Sequence, residues 1–476
     1  MFVLQASSEV HPFARTGGLG DVVGSILRPL AKLGHRVAAA MPYYRAIRAA
    51  HPDLKQVAAF EIPCGETRRR VAVRRLELPA PAVTVYCIDE PGLFDRDGLY
   101  GSGRGDYADN AERFSLFSRA VLELIVALKL PVDVIHAHDW QAALIPVYLK
   151  AGAGARPELA RIRTLLTIHN IAYQGVFPSH FMNVAGLDWS LFNWKAIEYW
   201  GQMNFLKGGL VFADRLTTVS PQYAKEIQTQ EFGSGLEGVL QDRARDLSGI
   251  LNGVDMEEWN PAKDRRIPAR YSASSLKGKA ACRAGLRRKL GLAETQAPLF
   301  GIVSRLVEQK GIDLLAALIG DLVATESQLV VLGQGEDWIQ RTLVDAARRW
   351  PSHVAVRTAF DDTLAHEIVA GSDATVMPSR WEPCGLSQLY SQLYGTVPVV
   401  RRTGGLADTV RDGVTGFVFD AATPGGLFGA LRRAIETFRK PELWSSLVQA
   451  CMKLDWSWDR SARDYAALYD SLQATR

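Results

Sequence analysis

Arg15-Thr16-Gly17-Gly18-Leu19-Gly20-Asp21-Val22-Val23 decides the reading of this chain. It returns 387 positions later as Arg402-Thr403-Gly404-Gly405-Leu406-Ala407-Asp408-Thr409-Val410, with seven of nine residues identical. Each copy sits where an apolar strand pattern hands over to a helical one. Glycines there let a backbone come close to a ligand, and the amides that open the next helix favour an anion. One copy near each end implies two similar halves, each presenting an anion-binding turn. Two unrelated Gly-Gly turns are the plainer alternative, but the match runs on through Leu and Asp.

Around these copies, short apolar runs alternate with longer helical patterns, the signature of parallel strand–helix–strand units. The predicted strands are 2–6, 36–40, 83–88, 134–137, 164–168 and 215–219 in the first half, and 299–303, 328–332, 354–357, 374–377 and 397–400 in the second. Many are nearly unbroken Val, Ile and Leu, as expected of α/β strands covered by helices on both faces. At 476 residues the chain is too long for one core. Between the halves lie Pro261, Pro268 and a polar 272–279 stretch, which puts the boundary near 252–262.

Composition narrows the function. With 55 basic and 51 acidic residues the net charge is +4, and Arg68-Arg69-Arg70 is only a short basic run, so a nucleic-acid partner is not indicated. The five cysteines are odd in number, scattered and without a CxxC spacing. They indicate neither a disulfide framework nor a zinc site, and a cytoplasmic setting fits. The N-terminus lacks the pattern of a signal peptide, and no run of about 18 apolar residues spans a membrane.

In open parallel sheets, ligands bind beyond the carboxyl ends of the strands. His138-Asp139-Trp140 follows 134–137, and His169-Asn170 follows 164–168. Arg305 and Lys310 follow 299–303. Two fixed cations beside helix-opening amides suit a diphosphate; solvated surface charges are the other reading. His169 and Asn170 can hydrogen-bond sugar hydroxyls, or His169 caps its strand. Glu382, in Trp381-Glu382-Pro383-Cys384-Gly385-Leu386, precedes a predicted helix; it can take two hydroxyls of a sugar or complement the helix dipole. Cys384 has no local histidine to activate it and reads as a small packing residue. His136 and His138 resemble a metal pair but lack a third ligand, so no metal site is assigned. Gly233-Ser234-Gly235-Leu236-Glu237-Gly238 satisfies G-x-G-x-x-G without a preceding strand, and no Walker A pattern exists; both absences weigh against a dehydrogenase and a P-loop NTPase.

Taken together, Thr16–Asp21, Tyr107-Ala108-Asp109-Asn110 with Arg113-Phe114, 136–141, 167–178, 213–221, 250–261, 304–311, 382–390 and 401–410 make the chain resemble bacterial glycogen synthases and plant starch synthases along essentially its whole length. The resemblance implies a GT-B fold: two facing Rossmann-like domains with a deep interdomain cleft. It places an acceptor-side domain at 1–255, a donor-side domain at 256–455, and a C-terminal helix at 456–476 crossing back to the first. Such domains are expected to close on a donor and exclude water.

The implied reaction moves glucose from ADP-glucose to the non-reducing end of an α-1,4-glucan, with retention of configuration and with no metal or pyridoxal phosphate. The implied partners are a nucleotide-sugar donor and a glucan acceptor. By the match, Arg305 and Lys310 hold the diphosphate, Glu382 the donor glucose, and His169 touches the transferred sugar. Asp21, Asp139, Asn170 and Asn252 line donor and acceptor sides, with Gly18, Thr403, Gly404, Gly405 and Cys384 in the matching loops. Tyr100 falls near the donor and Phe360 near a position that stacks on adenine. The family motif begins with Lys where this chain has Arg15, a bulkier, fork-shaped cation. A retaining GT-B transferase using UDP-glucose and a non-catalytic glucan-binding protein remain the alternatives.

Overall fold

The computed structural model describes residues 1–78, 83–103, 105–151 and 156–474. The chain divides into two compact units. The first holds Met1–Val219, Ala224–Gly253 and the C-terminal segment from Trp458; the second holds Ser220–Tyr223 and Val254–Ser457.

The second unit is built on a six-stranded, wholly parallel sheet. Its spatial order is Val354–Arg357, Gln328–Leu332, Leu299–Val303, Ala374–Met377, Val397–Arg401, Phe417–Phe419. Numbered along the chain this is 3-2-1-4-5-6, the doubly wound Rossmann order. The Gln328 strand shows why an unbroken apolar run is needed. Leu329 and Val331 pack with Leu315 and Leu343 in one cluster. Val330 and Leu332 pack with Leu286 and Ile368 in another. Alternate residues point to opposite faces, and helices cover both.

The first unit repeats the plan. Phe2–Ala6, Arg36–Pro42, Val83–Asp89, Val134–His138, Arg163–Ile168, Arg215–Thr218 and Leu247–Gly249 form a parallel sheet in the order 3-2-1-4-5-6-7. An antiparallel hairpin, Gln56–Cys64 and Thr67–Leu78, extends its outer edge. The helix Gly18–Lys32 buries Leu19, Val22, Val23, Ile26 and Leu30 on one stripe at helical spacing. The C-terminal helix Trp458–Ala474 packs beside it. That helix is anchored where the chain passes Gly253: a Cβ there would sit 2.7 Å from the Trp458 backbone. The Ser461 hydroxyl also donates to the Leu251 carbonyl over 2.5 Å.

The eleven predicted strands are all present, most with a residue or two of difference at their ends. The edge hairpin, Leu247–Gly249 and Phe417–Phe419 were not anticipated. All five cysteines are reduced and buried. Among the described residues, no helix is long and apolar enough to cross a membrane.

Candidate active site

In a doubly wound sheet the ligand crevice opens where the strand order reverses. In the second unit that point lies between Leu299–Val303 and Ala374–Met377. The loops leaving these strands carry Arg305 and Lys310 on one side and Ser379 to Cys384 on the other. Lys310 ends a 3-10 turn, Glu308–Lys310, and Gly311 follows with φ +65°. A side chain at Gly311 would collide with the Pro378 carbonyl, so glycine lets the two loops touch. The result is a tight ion pair: Lys310 Nζ donates to Glu382 Oε2 over 2.6 Å. The Ser379 hydroxyl donates to the same oxygen over 3.0 Å. Glu382 Oε1 therefore remains the oxygen open to a further donor. Arg305 is exposed and donates to Gln309 Oε1 over 3.2 Å.

The second copy of the repeated motif closes this site from behind. Thr403 occupies the N-cap position of the helix Gly404–Thr409, and Thr403, Gly404 and Gly405 are all buried. Gly404 has φ +43°, and a Cβ on it would strike the Glu382 carbonyl; one on Gly405 would strike the Cys384 carbonyl. The Gly405 amide donates to the Glu382 carbonyl over 3.1 Å. These glycines thus serve loop-to-loop packing that holds Glu382 in place. Cys384 is buried, as a packing residue would be. Phe360, beyond the Val354 strand, is 79% exposed, its ring offered to solvent.

The first copy has the opposite environment. Gly17 and Gly18 are exposed, and a Cβ on Gly17 would meet nothing within 4 Å. Gly18 opens the helix, Asp21 sits in its first turn, and Arg15 Nη1 pairs with Asp21 Oδ1 at 3.0 Å. The loop is held by a residue not singled out from sequence, Glu9, which is 2% exposed. It accepts from the Thr16 amide (2.6 Å), the Thr16 hydroxyl (2.7 Å) and the Tyr100 hydroxyl (2.6 Å). Burial, then the Glu9 carboxylate, raises the Tyr100 phenol well above its ordinary range. Glu9 follows the first strand at the switch point of its sheet, so the carboxyl-end rule would have found it.

Beyond the neighbouring strands lies a buried histidine chain. Tyr469 accepts from Gln5 Nε2 (3.1 Å), and Gln5 Oε1 lies 2.7 Å from His138 Nε2. His138 therefore carries its proton on Nε2 and accepts at Nδ1, 3.0 Å from His169 Nε2. Neutral His169 donates there and presents a lone pair on Nδ1. Burial holds His169 at about 3 and His136 and His138 well below the usual imidazole range. His136 is spent on Tyr469 and Thr167, at 2.8 and 2.6 Å, and is part of this network.

Asp139 stands at φ +53°, and its Oδ1 accepts from the His169 amide over 2.6 Å. Burial pushes its carboxyl up to about 7, against the pull of the His169 and Asn170 amides. Asn170 spends its side-chain oxygen on the Ala172 amide at 3.1 Å, shaping the turn. Asn252 is 6% exposed, and its Oδ1 has no hydrogen-bond partner among the described residues. A buried acceptor left bare costs free energy, which a ligand hydroxyl would recover.

The Gly233–Gly238 pattern follows a turn and not a strand. In the second unit Glu258, Asp362 and His366 each bring a ligand atom within 4.8 Å of the others. The Arg266 guanidinium already pairs with both carboxylates there, at 3.3 and 3.0 Å.

Residues 2–242 match the starch synthase catalytic domain family, and residues 285–446 match glycosyl transferases group 1. The glycogen synthase of Anaeromyxobacter dehalogenans (strain 2CP-1) is 48% identical over 483 residues, covering 100% of both chains. Among solved structures, the catalytic domain of starch synthase IV from Arabidopsis thaliana, bound to ADP and acarbose, matches with a TM-score of 0.90 and 34% identity, covering 99% of each chain. A sucrose-phosphate synthase from Thermosynechococcus elongatus shares the fold, with a TM-score of 0.62 and 17% identity.

Proposed function

The chain belongs to the glycogen and starch synthase family, and from that premise we propose that it takes its glucose from ADP-glucose and adds it to an α-1,4-glucan with retention of configuration. The observation that carries this reading is the Lys310–Glu382 pair, 2.6 Å apart at the switch point of the second sheet. A cation and a carboxylate side by side suit the two ends of one donor. Lys310 and Arg305 take the diphosphate, and Glu382 takes glucose hydroxyls on Oε1.

In the proposed step the acceptor 4-hydroxyl attacks the anomeric carbon on the face from which the diphosphate leaves. The glycosidic bond to the phosphate oxygen breaks as the new carbon–oxygen bond forms. A phosphate oxygen takes the hydroxyl proton. Negative charge grows on the departing diphosphate, so preorganised cations are the largest expected contribution. Two side-chain cations supply that charge without a metal or pyridoxal phosphate, and no carboxylate pair at glycosidase spacing is needed.

The first unit carries groups suited to sugar hydroxyls. His169 offers the Nδ1 lone pair, Asn252 its unsatisfied Oδ1, and Asp139 a carboxyl that burial pushes up to about 7. The exposed Phe360 ring is the proposed adenine platform. Arg15 contacts the donor with a geometry set by its pairing to Asp21.

The test is nucleotide release. The protein is mixed with glycogen and either ADP-glucose or UDP-glucose, and ADP or UDP is measured. ADP release that exceeds UDP release supports the proposal. Faster UDP release overturns the donor, and no release with either overturns transfer itself.

A further inference from the structure

One hydroxyl in the core of the first unit, that of Tyr469, joins two hydrogen-bonded arms. Tyr469 lies on the C-terminal helix and is wholly buried, as are Gln5, His136 and Thr167. Burial holds its phenol above the ordinary range, so the hydroxyl keeps its hydrogen. A phenol has one hydrogen to give and lone pairs with which to accept. Gln5 Nε2 donates to it over 3.1 Å, which leaves the phenol hydrogen for His136 Nδ1 at 2.8 Å. His136 then carries its proton on Nε2 and donates to Thr167 Oγ1 over 2.6 Å. Thr167 in turn donates to Thr217 Oγ1 over 2.5 Å.

The other arm runs from Gln5 Oε1 through His138 to His169. A glutamine amide donates at one end and accepts at the other, so turning it over reverses every bond in both arms. The phenol would then donate to Gln5, and His138 would accept at Nε2 and donate from Nδ1. His169 would accept at Nε2 and carry its own proton on Nδ1. The two settings use the same atoms at the same distances. They differ at the half-buried end of the arm, where Nδ1 of His169 is an acceptor in one and a donor in the other. Burial keeps all three rings neutral near pH 7, so a change of tautomer, and not of charge, is open to His169.

We propose that Tyr469, acting through Gln5 and His138, is a positioning residue that keeps the His169 proton on Nε2 and so leaves Nδ1 as an acceptor for a sugar hydroxyl. This rests on the reading of His169 as a group that touches the transferred glucose. The direction follows from what is lost without the phenol. In the present setting Gln5 Nε2 would face no acceptor, and a bare buried N–H is tolerated less often than a bare buried carbonyl. With the amide turned over, only its oxygen is bare. Removing one oxygen atom from the C-terminal helix therefore moves a proton on a ring three hydrogen bonds away. That helix joins the first unit from the far end of the chain, so the setting of His169 depends on its docking.

The test uses Tyr469→Phe, which keeps the ring, and Gln5→Leu, which cuts the arm while leaving the bond between Tyr469 and His136. Nitrogen-15 NMR of ring-labelled histidine, assigned with His169→Ala, reads the tautomer in each protein. The expected parent signal has the His169 proton on Nε2, and in both variants a large share moves to Nδ1. Loss of a neutral hydrogen bond to the sugar then lowers kcat/KM for ADP-glucose by about three- to tenfold. In a His169→Ala background Tyr469→Phe costs nothing further, because the arm has lost its end. A His169 proton on Nδ1 in the parent, or one that stays on Nε2 in either variant, overturns the proposal. So does an equal loss from Tyr469→Phe with and without His169, which would make the tyrosine a packing residue. Transfer at the parent rate by His169→Ala would instead count against the sugar contact, and the NMR signal would still decide the role of Tyr469.

Discussion

Lys310 Nζ and Glu382 Oε2 are 2.6 Å apart, and Ser379 donates to the same carboxylate oxygen. Both bonds fall on Oε2, which leaves Oε1 for a further donor. Glu382→Gln replaces a charged acceptor by an amide and leaves Lys310 without its counter-ion. Hydrogen bonds to charged groups are worth about 1.5–3 kcal/mol, so kcat/KM for the nucleotide sugar should fall by about 10- to 100-fold. Steady-state kinetics at saturating glycogen check this. A fall below threefold would remove Glu382 from the donor site.

The two copies of the repeated motif should respond in opposite ways to the same substitution. Gly17 is extended, at φ −171°, with open space around its Cβ position. Gly17→Ala should change stability by no more than about 0.5 kcal/mol. Gly404 is left-handed and abuts the Glu382 carbonyl. Gly404→Ala should cost at least about 2–3 kcal/mol and displace Glu382. Thermal unfolding of both variants decides the matter; equal shifts would contradict the packing role assigned to the second copy.

The buried histidines make stability depend on pH. An unfolded histidine takes a proton near 6.5, whereas folded His169 resists until about 3, and His136 and His138 are likewise held low. Across that window the unfolded state binds more protons, so stability falls as the pH falls. Asp139 works the other way. Its folded carboxyl stays protonated up to about 7 against 3.8, so its contribution is present at low pH and is lost as the pH rises toward 7. Three histidines outweigh one carboxyl, so the melting temperature should drop from pH 7.5 to pH 5. Asp139→Asn removes the opposing contribution and should steepen that drop. Parallel curves for parent and variant would contradict the shift assigned to Asp139.

Arg15 stands where the family motif has Lys, and its guanidinium pairs with Asp21. A planar fork and a compact ammonium do not present the same geometry to phosphate. Arg15→Lys should therefore change KM for ADP-glucose while leaving KM for glycogen as it is. Unchanged constants for both substrates would remove Arg15 from the donor site.

Much of this architecture was legible in the residues. Strands buried on both faces must be apolar at every position, so runs such as Leu329–Leu332 announce themselves. The Thr67–Leu78 strand does not. Val71 and Val73 are buried on one face and Leu76 and Leu78 on the other, with Arg68, Arg70 and Arg75 exposed along the same antiparallel edge hairpin. The buried positions change face midway and are interrupted by charge, so the strand reads as loop. The carboxyl-end rule led to Asp139 and His169 in the first unit and to Arg305 and Lys310 in the second. It reaches Glu9 as well, which was passed over because it belongs to no motif; Tyr469 escaped because its partners Gln5 and His136 lie more than 300 residues away along the chain. The glycine copies show the opposite limit. Gly17 and Gly404 belong to nearly identical sequences, yet one faces solvent and the other a carbonyl. Local sequence encodes the turn, and the surrounding fold determines what the turn meets.

In the proposed reaction Lys310 and Arg305 carry the charge that develops on the departing diphosphate. The most direct measurement is the rate of glucosyl transfer from ADP-glucose to glycogen by Arg305→Met/Lys310→Met, with glycogen binding measured alongside. A loss of about 10²–10³-fold or more in kcat, with glycogen binding intact, is the predicted result. Transfer at the parent rate would contradict it.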